Sequence, residues 1–255
     1  GASLELLQEV LIYSHLGALT FGIAYYITPA HVSNRASVAH IIFFIPATPV
    51  LVWTAFASVL KLATSTELRW YGSCYESGKF LSIYLATQVL GFFVEALQIT
   101  RTTWASKMPM MMHHVVSGVC FAHAMATRRC HFWAAFDGLC EVTNLFLNVL
   151  LLSKEKGAGI SDWFDLNLKW TMKVNGALLW LSFILFRILL FPAWLICYSL
   201  DASYQYGELQ SRGHLGMMEL IVYPATTLFL WILSCVWFKQ IHAGMMKMVF
   251  KQKET

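Results

Sequence analysis

Charge is what this chain has least of. Only 13% of its 255 residues are Asp, Glu, Lys or Arg, against about a quarter in a soluble domain. Apolar residues make up 58%, and the mean hydropathy is +0.58. That scarcity excludes an ordinary soluble protein and points to one polytopic membrane domain. The net charge of +4 sits in loops and the tail, so it bears on membrane topology and not on nucleic-acid binding. The cysteines at 74, 120, 130, 140, 197 and 235 show no CxxC spacing, and HExxH is absent, so no metal site is expected. An N-x-S/T sequon is absent too. The first apolar run is long and lacks a basic flank, so a cleavable signal peptide is not expected. Proline is sparse, yet Pro46, Pro49 and Pro192 fall inside apolar runs and are expected to kink them.

A spanning helix needs about 20 apolar residues. Seven runs qualify, near 6–27, 38–60, 80–99, 110–126, 131–152, 174–199 and 217–238; the fourth is shortest and is interrupted by a His pair. The longest gap, 153–173, alternates Trp, Phe and Leu with acids and lysines, as a surface-lying segment does. Placing the C-terminus in the cytosol puts eleven basic residues on that side and six on the other, with Arg187 inside the sixth run. The excess predicts a lumenal N-terminus and a cytosolic C-terminus. Cys74 and Cys130 then share the lumenal side, which leaves a disulfide between them open.

Polar groups in hydrocarbon cost several kcal/mol each unless partnered. They concentrate in 110–152. His113 and His114 open the fourth run; Asp137, Glu141, Asn144 and Asn148 recur at i, i+4, i+7 and i+11 along the fifth, which is one helical face. In the predicted topology His113, His114, Asn148, Glu95 and Gln98 all lie about 3–8 Å inside the cytosolic boundary. Adjacent histidines diverge by about 100° on a helix, so one is expected to face a cavity and the other to pack or support it. Neutral imidazole serves as a base or as a nucleophile toward an acyl thioester, and Glu141 or Glu95 is placed to orient it. The structural alternative is interhelical hydrogen-bond glue, the favoured reading for Asp137 alone. Arg187 is expected to pair with Glu141 or Asp137, and Glu219 to be a snorkelling or structural group. The run at 217–238 has no lysine for a retinal Schiff base and no NPxxY, which argues against a seven-helix receptor or retinal protein.

From His113 to Asn148 the chain resembles the TLC domain, shared by ceramide synthases, translocating-chain-associating membrane proteins and the TLC-domain-containing proteins. GFFVEALQI at 91–99, KVNGALLWLSFILFRILLFP at 173–192 and the closing WFKQIHAGMMK are similar to that family in order and spacing. The likeness is greatest to the TLC-domain-containing subgroup and covers about 35–248. It implies an all-α membrane protein: an N-terminal helix and loop (1–34), a six-helix barrel around a central cavity (35–248), and a basic cytosolic tail (249–255).

In ceramide synthases both histidines are required for acyl transfer from acyl-CoA to a sphingoid amine. Their further His and acids fall here on Cys140, Glu141, Asn144 and Asn148, so the third His is missing and two acids are amides. The resemblance implies N-acylation of a sphingoid or phospholipid amine, or control of membrane lipid composition. The expected catalytic set is His113, His114, Glu141, Asn144 and Asn148. Glu95, Gln98, Asp137, Arg187, Arg101 and Lys107 are the expected substrate contacts, the last two facing coenzyme A phosphates. No cofactor is held permanently; acyl-CoA is a co-substrate. The partners are membrane lipids and a lipid amine, a homodimer is left open, and the location is the endoplasmic reticulum or another endomembrane. The alternative is a non-enzymatic protein that binds, senses or handles lipid in the same cavity.

Overall fold

In hydrocarbon every backbone N–H and C=O must find a partner within the chain, and helices do this locally. The computed structural model describes residues 2–28, 35–97, 103–154, 169–212 and 216–250, and these are helical nearly throughout. The helices are α1 (Ala2–Ile27), α2 (Arg35–Leu62), α3 (Thr66–Tyr71), α4 (Tyr75–Leu97), α5 (Trp104–Thr127), α6 (His131–Gly138), α7 (Val142–Lys154), α8 (Lys169–Phe183), α9 (Leu190–Tyr204), α10 (Tyr206–Ser211) and α11 (Tyr223–Phe250). A 3₁₀ turn, Leu139–Glu141, joins α6 to α7; π-helical turns at Ile184–Leu189 and Met218–Val222 join α8 to α9 and lead into α11.

Six stretches among the described residues are long and apolar enough to cross a membrane: Gln8–Ile27, Val38–Leu62, Thr66–Leu97, His131–Lys154, Trp170–Tyr204 and Met218–Lys247. The expected fourth span lies in α5 and is not among them. Lys107, His113, His114, Ser117 and His123 lower its hydropathy, although its 24 residues reach about 36 Å, beyond the ~30 Å hydrocarbon layer. The outward surface is what lipid requires: Trp53, Leu60 and Leu97 are each more than 70% exposed. Most of the segment 153–173 and the end of the tail lie outside the described residues.

The prolines act differently from one another. Helix α2 runs unbroken through Pro46 and Pro49. Pro192 instead follows a π-helical turn. Lacking an N–H, it strands the carbonyl of Ile188, and the Trp231 indole N–H donates to that oxygen at 3.2 Å. Pro224 follows the second π turn, and there the Tyr198 hydroxyl donates to the Glu219 carbonyl at 2.9 Å.

Helix α4 packs on α5, α2 and α1; α2 packs on α6 and α7; α7 on α8; and α11 on α8, α9 and α5. One end of the molecule is closed by aromatic rings. Trp133 lies 5.8 Å from Trp194 and 6.0 Å from Trp70, and Trp194 stacks on Tyr198 at 4.5 Å. Asp201 ties this end down, taking the Arg69 guanidinium at 2.7 and 2.9 Å and the Trp70 indole N–H at 3.0 Å. The tight basic turn here puts Arg128 (φ 56°) and Cys130 (φ 60°) in the left-handed region, held by the Cys130 N–H to the Trp70 carbonyl at 2.9 Å. Of the two roles expected for Glu219 the structural one holds: it is buried and ion-paired with Arg129 at 3.2 Å. Cys74 and Cys130 are free thiols, so the disulfide left open above is not formed.

Candidate functional site

Helix α5 lies between α4 and α11, and this settles where the two histidines go. His114 leans on α4. Its Nδ1 is 2.6 Å from the Gln88 Oε1. A carbonyl oxygen only accepts, so a neutral ring carries its proton on Nδ1 and keeps a lone pair on Nε2. The ring lies directly on Gly91, three residues on from Gln88. A Cβ at that position would stand 2.6 Å from Cε1 and 2.9 Å from Nε2 of His114. His113 leans the other way, its ring edge-on to Trp237 of α11 at 6.4 Å, with Ser117 Oγ 3.4 Å from its Nδ1. The rings remain 5.3 Å apart. They diverge as the helix demands, yet both border one cavity, because the side of α5 that carries them is enclosed between α4 and α11 while Met112, Val115 and Val119 take its exposed face. The expectation that only one would face the cavity is corrected on that ground.

The cavity measures about 340 Å³, within the range of small-ligand sites. Its walls include His113, His114, Glu141, Asn144, Asn148, Glu95 and Arg187, all named from the sequence. Glu141 ends the 3₁₀ turn and is 3% exposed; its Oε2 accepts from Asn144 Nδ2 at 2.7 Å. Asn148 Nδ2 reaches Thr48 Oγ1 of α2 at 3.4 Å. Glu95 lies at one rim and pairs with Lys107 at 2.8 Å.

Arg187 sits in the π-helical turn, 6% exposed. Its expected carboxylate partner is not found: among the described residues it enters no ion pair. Its Nε donates to Thr143 Oγ1 at 2.9 Å, and its guanidinium lies 5.4 Å from the Phe183 ring and 6.0 Å from that of Trp237.

Asp137 does not join this group. It lines a separate void of about 30 Å³ beside Cys120, Trp133 and Tyr223, with Thr227 Oγ1 at 3.5 Å. The 3₁₀ turn explains the divergence. Each 3₁₀ residue turns about 120° where an α residue turns about 100°, so roughly three such steps rotate Asp137 about 60° away from the Glu141 row. Lys107 stands beside the cavity and not in its wall. Gln98 and Arg101 lie outside the described residues. His123 and His131 are elsewhere, bonded to Tyr223 Oη at 2.7 Å and Ser77 Oγ at 2.9 Å.

Sequence reasoning passed over Gln88, Gly91, Trp237, Gln240 and His40, of which all but Gly91 line the cavity. For two of them a signal existed: Gln88, Gly91 and Glu95 recur at i, i+3 and i+7 on one face of α4. His40 gave none, since nothing in α2 alone tells which neighbour it meets; its buried Nε2 has no hydrogen-bond partner among the described residues.

The site thus sets three imidazoles, two carboxylates and a guanidinium around a space large enough for a small head group, one imidazole having a fixed tautomer. The family model described as TLC domain matches residues 36–243. No curated protein and no solved structure matches the chain.

Proposed function

The chain belongs to the TLC-domain family, and on that premise we propose that it is an N-acyltransferase, moving a fatty acyl group from acyl-CoA to the amine of a sphingoid or phospholipid acceptor. The observation that carries this reading is the arrangement of His114: its ring is held through Nδ1 by Gln88, which leaves the lone pair on Nε2, and it lines one cavity with His113 and Glu141. An imidazole so oriented takes a proton without having to turn.

In the proposed reaction the acceptor nitrogen attacks the thioester carbonyl. The C–N bond forms, the C–S bond breaks, the amine proton passes to His114 Nε2, and the coenzyme A thiolate leaves and takes a proton back. His113 stands 5.3 Å away, centroid to centroid, and serves as the second imidazole, either assisting or accepting the acyl group first. Glu141, steadied by Asn144, stabilises positive charge on the imidazoles; Asn148 braces the wall against α2. Glu95 and its partner Lys107 receive the polar end of the donor, and Lys107 suits a coenzyme A phosphate, the role the sequence also suggests for Arg101.

The helix contacts run α5–α4–α2–α7–α8–α11–α5, which supports a six-helix barrel with α1 outside it, α5 counting as a seventh span. The closed aromatic end would face the lumen and the cavity rim the cytosol, with the N-terminus lumenal and the C-terminus cytosolic, in the endoplasmic reticulum or a related membrane. Membrane lipids, acyl-CoA and the lipid amine are the partners, without a resident cofactor; monomer and homodimer both accommodate this.

A second reading has its own observation. Cys140 stands where the ceramide synthases have a third His, and Asn144 and Asn148 where they have acids. A cavity amidated in this way suits a protein that binds or senses lipid without transforming it. Purified protein with labelled acyl-CoA and candidate amines separates the two. Wild type is expected to form amide, and the double variant His113→Ala, His114→Ala none; equal product from both overturns the catalytic assignment, and saturable lipid binding without turnover favours the second reading.

A further inference from the structure

Arg187 and Glu141 line the same cavity and carry opposite charges, yet among the described residues they form no salt bridge. Arg187 is 6% exposed and Glu141 3%. The guanidinium uses only Nε, on Thr143. Among the described residues its terminal nitrogens have no hydrogen-bond or ion-pair partner, and the Phe183 and Trp237 rings confine it to its place. Glu141 is held through Oε2 by Asn144; among the described residues its Oε1 is unpartnered. A buried charge whose hydrogen-bonding sites are only partly filled costs several kcal/mol. Two of opposite sign, fixed by their neighbours and facing one void, mark the two ends of something that fits between them.

We propose that this pair receives a zwitterionic lipid head group, Arg187 taking its oxyanion and Glu141 its primary ammonium. A simple long-chain amine would satisfy Glu141 and leave the guanidinium bare. A fatty acid or phosphatidic acid would do the reverse. An aminophospholipid satisfies both, and a bidentate guanidinium–phosphate contact is among the stronger hydrogen-bonded pairs. The head group would also bring its nitrogen beside His113 and His114. The inference therefore rests on the transferase reading for the amine's role as acceptor, and selects the aminophospholipid over the sphingoid base.

The test is binding, read by native mass spectrometry of the purified full chain in detergent, with dioleoylphosphatidylethanolamine, dioleoylphosphatidic acid and oleylamine as probes. Wild type is expected to hold the zwitterion at least about tenfold more tightly than either single-charge probe, since each adds or removes one charge-assisted contact. Arg187→Gln is expected to lose about tenfold to a hundredfold for phosphatidylethanolamine and nothing for oleylamine. Glu141→Gln should weaken oleylamine and spare phosphatidic acid. A wild-type protein that holds oleylamine as tightly as phosphatidylethanolamine overturns the proposal, and that comparison needs no variant to fold. So does Arg187→Gln with undiminished phosphatidylethanolamine binding. Phosphatidylethanolamine bound in this way without turnover refutes the transferase and leaves the inference standing. Turnover of a sphingoid base indifferent to Arg187 does the opposite.

Discussion

Gly91 is the least conspicuous residue of the site and the sharpest place to test it. Replacing it with alanine adds one methyl group, 2.6 Å from Cε1 and 2.9 Å from Nε2 of His114. Carbon atoms settle at about 3.5–4.0 Å, so the imidazole has to retreat by about 1 Å. Its bond to Gln88 is 2.6 Å long. A retreat of that size takes it past the range of a hydrogen bond and leaves a buried amide oxygen bare, at a cost of about 1–3 kcal/mol. The proton on Nδ1 is then no longer fixed, and a 1 Å misplacement of a reacting group costs about a hundredfold in rate. Helix propensity works the other way, since alanine favours a helix over glycine by about 1 kcal/mol. A loss of activity is thus not a loss of helix. The assay is single-turnover amide formation from labelled acyl-CoA in nanodiscs. Gly118→Ala on α5 is the control, because a Cβ there meets nothing within 4 Å. Gly91→Ala is expected to fall about a hundredfold while Gly118→Ala stays at wild-type rate. Equal rates for the two variants would refute the placement of His114.

Other consequences follow from packing. Gly138 touches the Phe80 ring so closely that a Cβ would overlap it; Gly138→Ala is expected to lower stability by about 1–3 kcal/mol, read as a drop in Tm of the purified protein. Trp231→Phe removes the indole donor to the Ile188 carbonyl. It is expected to cost about 1 kcal/mol and, by loosening the π-helical turn that carries Arg187, to weaken head-group binding more than Trp180→Phe, which removes an indole donor to His242 instead. Cys74 and Cys130 are expected to alkylate fully in denaturant without reductant, as peptide mass spectrometry would show; a linked peptide pair would contradict the free thiols.

Much of this architecture was legible before any coordinates. Apolar runs long enough to span a bilayer announce themselves by composition, and polar residues repeating at i, i+3 and i+4 announce a shared helical face. Glu141, Asn144 and Asn148 were found that way, and they do line one cavity with the His pair. Asp137 was grouped with them because the rule assumes unbroken α-helix, and the 3₁₀ turn at Leu139–Glu141 breaks the phase. The α5 span was legible as a chain segment, but its polar side chains weaken the hydropathy signal that marks a crossing. What stayed hidden depends on which helix lies beside which. The hold of Gln88 on His114 joins residues 26 apart, and the bond from Arg187 to Thr143 joins residues 44 apart. No local pattern encodes those pairings. The expected Arg187–carboxylate pair was a sound guess from charge alone; the structure instead spends the guanidinium on a hydroxyl and two rings, which is how its remaining donors come to face the cavity.

The central claim is that the His pair meets the reacting end of a fatty acyl donor inside this cavity. An experimental map of the purified protein bearing a long-chain acyl-CoA tests it most directly. The account predicts continuous density entering by Lys107 and ending with the acyl carbonyl within bonding reach of His113 or His114. A cavity filled by side chains, or a His pair turned outward to the bilayer with the acyl chain bound elsewhere, would contradict it.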